Sequence, residues 1–140
     1  MLELLGIFEG EELRMVALSV IDSADHAVVR MVTSREALAR KLLTNQRLPY
    51  SEAEILIVEL APDDGRTLTA LCKILLSVEL NIHYAYPLMV RPYGAATIAL
   101  QTDDHILAGQ LLRRKHFTLL GEGDLKDQYH YDDPFDPPLN

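Results

Sequence analysis

Side chains able to act as nucleophile, base or metal ligand are few in this chain, and they do not cluster. The five histidines, His26, His83, His105, His116 and His130, fall on a turn, a strand, a helix start, a helix end and the C-terminal stretch. No two stand at the spacing that lets one helix offer both imidazoles to a metal, and none is paired with a nucleophile. Cys72 is the only cysteine, so no internal disulfide or thiolate metal cluster can form. In its apolar helical run it reads as a small core residue. The glycines are scattered, without a phosphate loop, dinucleotide fingerprint or nucleophile elbow. His130, Asp132, Asp133 and Asp136 read as a solvated acidic run rather than a cation site. The expectation is a protein with no catalytic residues, no metal and no cofactor.

The elements that would position a binding site are easier to read. A chain of 140 residues with 49% apolar and 24% charged residues can bury a core without staples. No apolar run approaches the roughly twenty residues of a membrane-spanning helix. The start, Met1-Leu2-Glu3-Leu4-Leu5, lacks a basic region and soon meets Glu9, Glu11 and Glu12, unlike a secretory signal. With the reducing environment that a single cysteine suits, this places the expectation in the cytoplasm. A net charge of −8 repels phosphate, so neither nucleic acid nor an anionic membrane is an expected partner.

Met1, Leu4, Leu5 and Phe8 form one helical stripe. Val16–Asp22 and Ala27–Val32, rich in β-branched residues, flank a turn and predict a hairpin. Thr33 or Ser34 offers a cap for a second helix with Leu38, Ala39, Leu42 and Leu43 on its apolar face. A short apolar segment, Leu48–Tyr50, precedes the strand Ala53–Leu60, which the cluster Pro62-Asp63-Asp64-Gly65 ends. There follow a helix from Leu68 to about Val78, a strand from His83 to Val90, a turn at Arg91–Gly94 and a strand from Ala95 to Gln101. Thr102 or Asp103 is the expected cap of a helix burying Ile106, Leu107, Ala108, Leu111 and Leu112, and Phe117–Leu120 reads as a last strand. Tyr84, Tyr86 and Tyr93 lie on or beside one hairpin, where they suit a ligand site, an interface or an ordinary half-buried strand. From about Gly121 the acidic, Pro-rich sequence shows no period and reads as an extended tail.

The two halves superpose in register. Met1, Leu4, Leu5, Phe8 and Met15 match Leu68, Leu71, Cys72, Leu75 and Ile82 at one offset. After the hairpin, which is two residues longer in the second half, Leu38-Ala39 and Leu42-Leu43 match Leu107-Ala108 and Leu111-Leu112, and Leu48 matches Phe117. This duplication predicts an α+β protein of two tandem ferredoxin-like βαββαβ units, each an antiparallel sheet with its helices on one face. The units are expected over residues 1–52, with the N-terminal strand lacking, and 53–125, with a tail over 126–140.

The second unit, I-L-I-V-E-L-A-P-D-D-G-R-T-L-T-A-L followed by Asn81-Ile82, resembles the ACT domain family, the small ligand-sensing modules attached to enzymes of amino-acid metabolism. The first unit resembles it from its first helix onward, and the resemblance spans about residues 1–125. It implies an effector site made by the loop Asp63, Asp64, Gly65, Arg66, Thr67 and Leu68 and by Asn81, Ile82 and His83 at the start of the next strand, usually across an interface between copies. The chemistry suits that role: helix N-terminal amides attract a ligand carboxylate, and an Asn side chain meets its amine. In the family's D-x-P-G-x-L loop, this chain has Gly65 at the proline and Arg66 at the glycine. Two functions stay open. One is a regulatory subunit without catalysis, similar to the acetolactate synthase small subunit, sensing an amino acid or other small metabolite, self-associating as a dimer and acting on a metabolic enzyme partner. The other is an oligomerisation or interaction module that no longer binds a ligand. An absent first strand leaves backbone groups that need partners, from the tail or from a second chain.

Overall fold

The computed structural model describes residues 1–126. In chain order they form α1 (Leu2–Phe8), β1 (Met15–Asp22), β2 (Ala27–Thr33), α2 (Glu36–Asn45), β3 (Leu56–Glu59), a 3-10 turn (Pro62–Asp64), α3 (Leu68–Leu76), β4 (Ile82–Pro87), β5 (Thr97–Thr102), α4 (His105–Arg114), β6 (Leu119–Leu120) and α5 (Glu122–Lys126). The fold is α+β with antiparallel sheets: β1 and β2 form a two-stranded sheet, and the other four strands form a second in the order β4-β5-β3-β6.

Four layers result. Leu71 and Leu75 of α3 and Ala108 and Leu112 of α4 cover one face of the larger sheet, where they meet Val58, Ile98 and Leu100. Phe8 of α1 and Ala39 and Leu43 of α2 close over Met15 and Met31 on one face of the hairpin. The other hairpin face lies on the larger sheet: Ala17 meets Tyr86 and Ala99, while Val16 meets Ile57 and Leu125. Alanine is wholly buried at 17 and 99, leaving room for the large Tyr86 ring between sheets that pack about 10 Å apart. Arg30 reaches across as well, its guanidinium 4.3 Å from the centroid of the Tyr84 ring, which stacks on Tyr86 at 5.9 Å.

The internal likeness of the halves extends to irregular detail. β1 bulges at Val16, since Met15 faces Thr33 and Ala17 faces Val32. β4 bulges at the matching place, His83, since Ile82 faces Thr102 and Tyr84 faces Gln101. The bulge leaves a carbonyl outside the ladder, and Val16 O accepts the Met89 N–H at 2.8 Å, tying the hairpin to the chain leaving β4. Arg47 and His116, which also match, both take positive φ, at 56° and 68°. Leu48 N–H donates to Leu43 O as Phe117 N–H does to Leu112 O.

Several local expectations need correction. Cys72 is exposed rather than buried, as are Met1, Leu5, Leu68, Ile106 and Leu107; each lies on the flank of an apolar stripe whose centre alone meets the sheet. Neither Thr33 nor Ser34 caps α2, and neither Thr102 nor Asp103 caps α4. The caps fall one residue later, at Arg35 and Asp104, because residues 34 and 103 are engaged with Arg14 and Asn81, just before β1 and β4. β3 is shorter than Ala53–Leu60, and β4 stops at Pro87 as the chain turns toward Val16. The stretch after Gly121 begins not as extended chain but as α5, whose Leu125 is 3% exposed and fills the inter-sheet cluster; one helical turn is too short to carry a period. The rest of the expected tail, with His130, Asp132, Asp133 and Asp136, lies outside the described residues. Among the described residues, β1 is the only strand that bonds the backbone of β2.

Candidate functional site

The loop from β3 to α3 is held by its own backbone. Ala61 N–H donates to Arg66 O at 2.9 Å and Arg66 N–H returns to Ala61 O at 3.0 Å, closing the loop at its base. Between them Asp63 and Asp64 lie in the 3-10 turn, and Gly65 ends it at φ 78°, a conformation that costs a side chain but not glycine. Arg66 Nη2 donates to Asp64 Oδ2 at 2.9 Å, so the arginine offsets one of the two acids before it. Thr67 caps α3, its Oγ1 accepting the Ala70 N–H at 3.0 Å, and Leu68 stands 46% exposed on the first turn.

The second set of predicted residues, Asn81 and Ile82, opens β4. Asn81 donates both its backbone N–H, at 3.1 Å, and its Nδ2, at 3.0 Å, to Asp103 Oδ2. The bulge that takes His83 out of the ladder brings its Nε2 within 2.5 Å of Asp103 Oδ1. The Asn81 amide, followed by the His83 contact, holds the Asp103 carboxyl below the usual carboxylate range. Both oxygens are thus occupied, and Asn81, His83 and Asp103 form an exposed trio with one carboxylate at its centre. Ile82 is half-buried against the α3/α4 core and is not free for a ligand. Asp103 is absent from the residues that sequence reasoning selected for the site, whereas His83 stands at the end of the selected stretch Asn81–His83. The signal was the second-half register itself, which sets residue 103 opposite residue 81, but only the bulge turns His83 toward it.

These two sets do not meet in one unit. Glu59, at the loop end of β3, faces Thr97, whereas Ile82 faces Thr102. The six residues of β5 separate them by roughly 17 Å at about 3.3 Å per residue. The loop and the Asn81 trio can touch one small ligand only if another copy supplies one of them. Tyr84 and Tyr86 face the hairpin inside the chain, and Tyr93 donates its hydroxyl to Asp124 at 2.5 Å; burial raises the Tyr86 phenol above its ordinary value. Among the described residues no group of three or more His, Cys, Asp or Glu could hold a metal ion, and no helix is long and apolar enough to cross a membrane.

No known family model matches the chain, and no curated protein is similar to it. Among solved structures, the crystal structure of protein BT0572 from Bacteroides thetaiotaomicron is similar at a TM-score of 0.75 and 19% identity, over 90% of this chain and 85% of that one. At that identity the likeness is one of fold.

Proposed function

We propose that this chain is a tandem ACT-like regulatory protein of the ferredoxin-like class, which binds an amino acid or similar small metabolite between copies and passes that event to an enzyme of amino-acid metabolism. The observation that carries the reading is the β3-α3-β4-β5-α4-β6 run, folded with β3 between β5 and β6 and both long helices on one face, together with its partial repeat in α1-β1-β2-α2. The ligand carboxylate would meet the amides at the N-terminus of α3, and its amine the Asn81–Asp103 pair of another copy. Regulation then requires only that two arrangements of copies differ in affinity for the ligand.

Thermal denaturation with each of the twenty amino acids tests this. A ligand present at about a hundred times its Kd adds roughly 2.7 kcal/mol of stability, and Asn81→Ala removes that gain. No shift with any amino acid favours the second reading, an interaction module without ligand. The Arg66–Asp64 pair supports that alternative, because it places a long side chain where the family's loop is bare. Recovery of binding in Arg66→Gly would locate the loss in that side chain.

A further inference from the structure

We propose that the open edge of β2 is a docking site for an extended strand of a partner protein, one with apolar side chains at two alternate positions and an acid between them. Ser23 N–H donates to His26 O at 3.1 Å. Alternation along the β1–β2 register from that pair turns the backbone N–H and C=O of Val29 and Met31 away from β1. Their counterparts in the second half, Ile98 and Leu100, give those same groups to β3, where Val58 and Leu56 stand opposite them; Leu60 N–H, donating to Ala96 O at 2.8 Å, fixes that alternation. Among the described residues nothing bonds the outward groups of Val29 and Met31. The side chains around the edge agree. Leu4, Val29, Met31 and Leu48 are half-buried, whereas their counterparts Leu71, Ile98, Leu100 and Phe117 are buried around Val58 of β3.

The second half supplies the template for what fits there. A strand laid antiparallel along β2 in the register of β3 sets one apolar side chain opposite Met31 and another opposite Val29, over the α1/α2 core, as Leu56 and Val58 stand to Leu100 and Ile98. Main-chain bonds give such a strand its affinity, and the alternate side chains give it specificity. The residue between the two turns to the other face, opposite Arg30. Although the guanidinium lies over the Tyr84 ring, Arg30 Nη1 is buried without a hydrogen-bond partner, and a buried donor left unpaired is costly. A carboxylate opposite Arg30 supplies the missing acceptor. The chain's own segments fit less well. Pairing the whole of β2 with β2 of a second copy sets Arg30 against Arg30, and residues 127–140 carry four aspartates, three prolines and a single aliphatic residue, Leu139. Neither the Asp63–Leu68 loop nor the Asn81 trio takes part, so strand binding and amino-acid binding succeed or fail separately.

Titration of the full chain with synthetic peptides tests this. One probe copies residues 53–61 with Ile57→Glu, which puts the acid opposite Arg30; a second carries Ile57→Lys. We expect the glutamate peptide to bind, with hydrogen-exchange protection appearing at the Val29 and Met31 amides, and the lysine peptide to bind about tenfold more weakly. The net charge of −8 favours the lysine peptide, so a preference for glutamate reports Arg30 itself. Arg30→Met should abolish that preference. Val29→Pro, which removes an outward N–H but no bond to β1, should abolish binding while exchange in the rest of the hairpin stays unchanged. Failure of both peptides to bind at high micromolar concentration, or equal binding of the two, overturns the proposal. So does full protection of the Val29 and Met31 amides in the chain alone, because a second copy or residues 127–140 would then already fill the edge.

Discussion

Leu43 and Leu112 are matching positions in the two halves, and truncating each should show which half holds up the other. Leu112 is 0% exposed between α4 and the larger sheet; Leu43 is 6% exposed between α2 and the hairpin. Leucine-to-alanine changes at such sites cost about 2–5 kcal/mol. Leu112, with no solvent to relax into, belongs toward the upper part of that range. At roughly 3 °C per kcal/mol for a domain of this size, Leu112→Ala should lower the thermal midpoint by about 10 °C. A two-stranded sheet is marginal alone, and the hairpin owes its second face to Ile57, Tyr86 and Ala99. Hydrogen exchange should therefore differ in pattern: Leu43→Ala deprotects α1, α2 and the hairpin while β3 and β5 stay protected, whereas Leu112→Ala deprotects both halves together. Protection of β1 and β2 that persists in Leu112→Ala while β3 and β5 open would refute this dependence.

Two further outcomes follow from the caps and from the Asp103 carboxyl. Thr67→Ala and Asp104→Ala each leave a helix amide without its 3.0 Å acceptor and should cost about 1 kcal/mol each, additively because the caps lie at opposite ends of the sheet, as chemical denaturation would report. Asp103 has a depressed folded-state value, so its contribution is complete above the unfolded carboxylate range near pH 4 and is lost as pH falls through the lower folded value. Asp103→Asn should thus flatten the acid limb of the stability profile, as denaturation at a series of pH values below about 5 would report.

Much of this architecture was legible in sequence because the likeness between the halves doubles the signal. Leu4, Phe8, Ala39 and Leu43 rebuild in the first half the core that Leu71, Leu75, Ala108 and Leu112 make in the second, and a pattern met twice, at one offset before the hairpin and one after it, is hard to produce by chance. What failed was local. Periodicity marks an apolar stripe but not how much of it a sheet covers, so it counts Leu5, Cys72 and Ile106 as interior although they lie on uncovered flanks. Nor does periodicity show that Ser34 and Asp103 are occupied across the strand, which moves each helix start one residue on. The stacking of the hairpin on the larger sheet depends on two alanines, Ala17 and Ala99, and small residues carry no pattern of their own.

The same likeness separates what the fold requires from what exceeds that requirement. In the first half, Ser34 N–H donates to Arg14 O, and Ser34 Oγ accepts the Arg14 N–H at 2.9 Å, which closes the strand entry with one neutral acceptor. In the second half, Asp103 N–H donates to Asn81 O, and Asp103 Oδ2 accepts the Asn81 N–H. The bulged residue is Val16 in one half, buried between the sheets, and His83 in the other, exposed on the carboxylate. One hydroxyl therefore suffices to build this corner, and the second carboxylate oxygen, the Asn81 amide and the imidazole exceed the structural need. Asp103→Ser, which copies the first half into the second, should keep the backbone bond and the fold while removing the Asp103–His83 contact. If Asp103→Ser also unfolded the protein, the carboxylate would be structural and the Asn81 end of the sheet would lose its claim as half of a binding site. If it folded and lost only amino-acid binding, the polar trio would be the part of the corner that serves function.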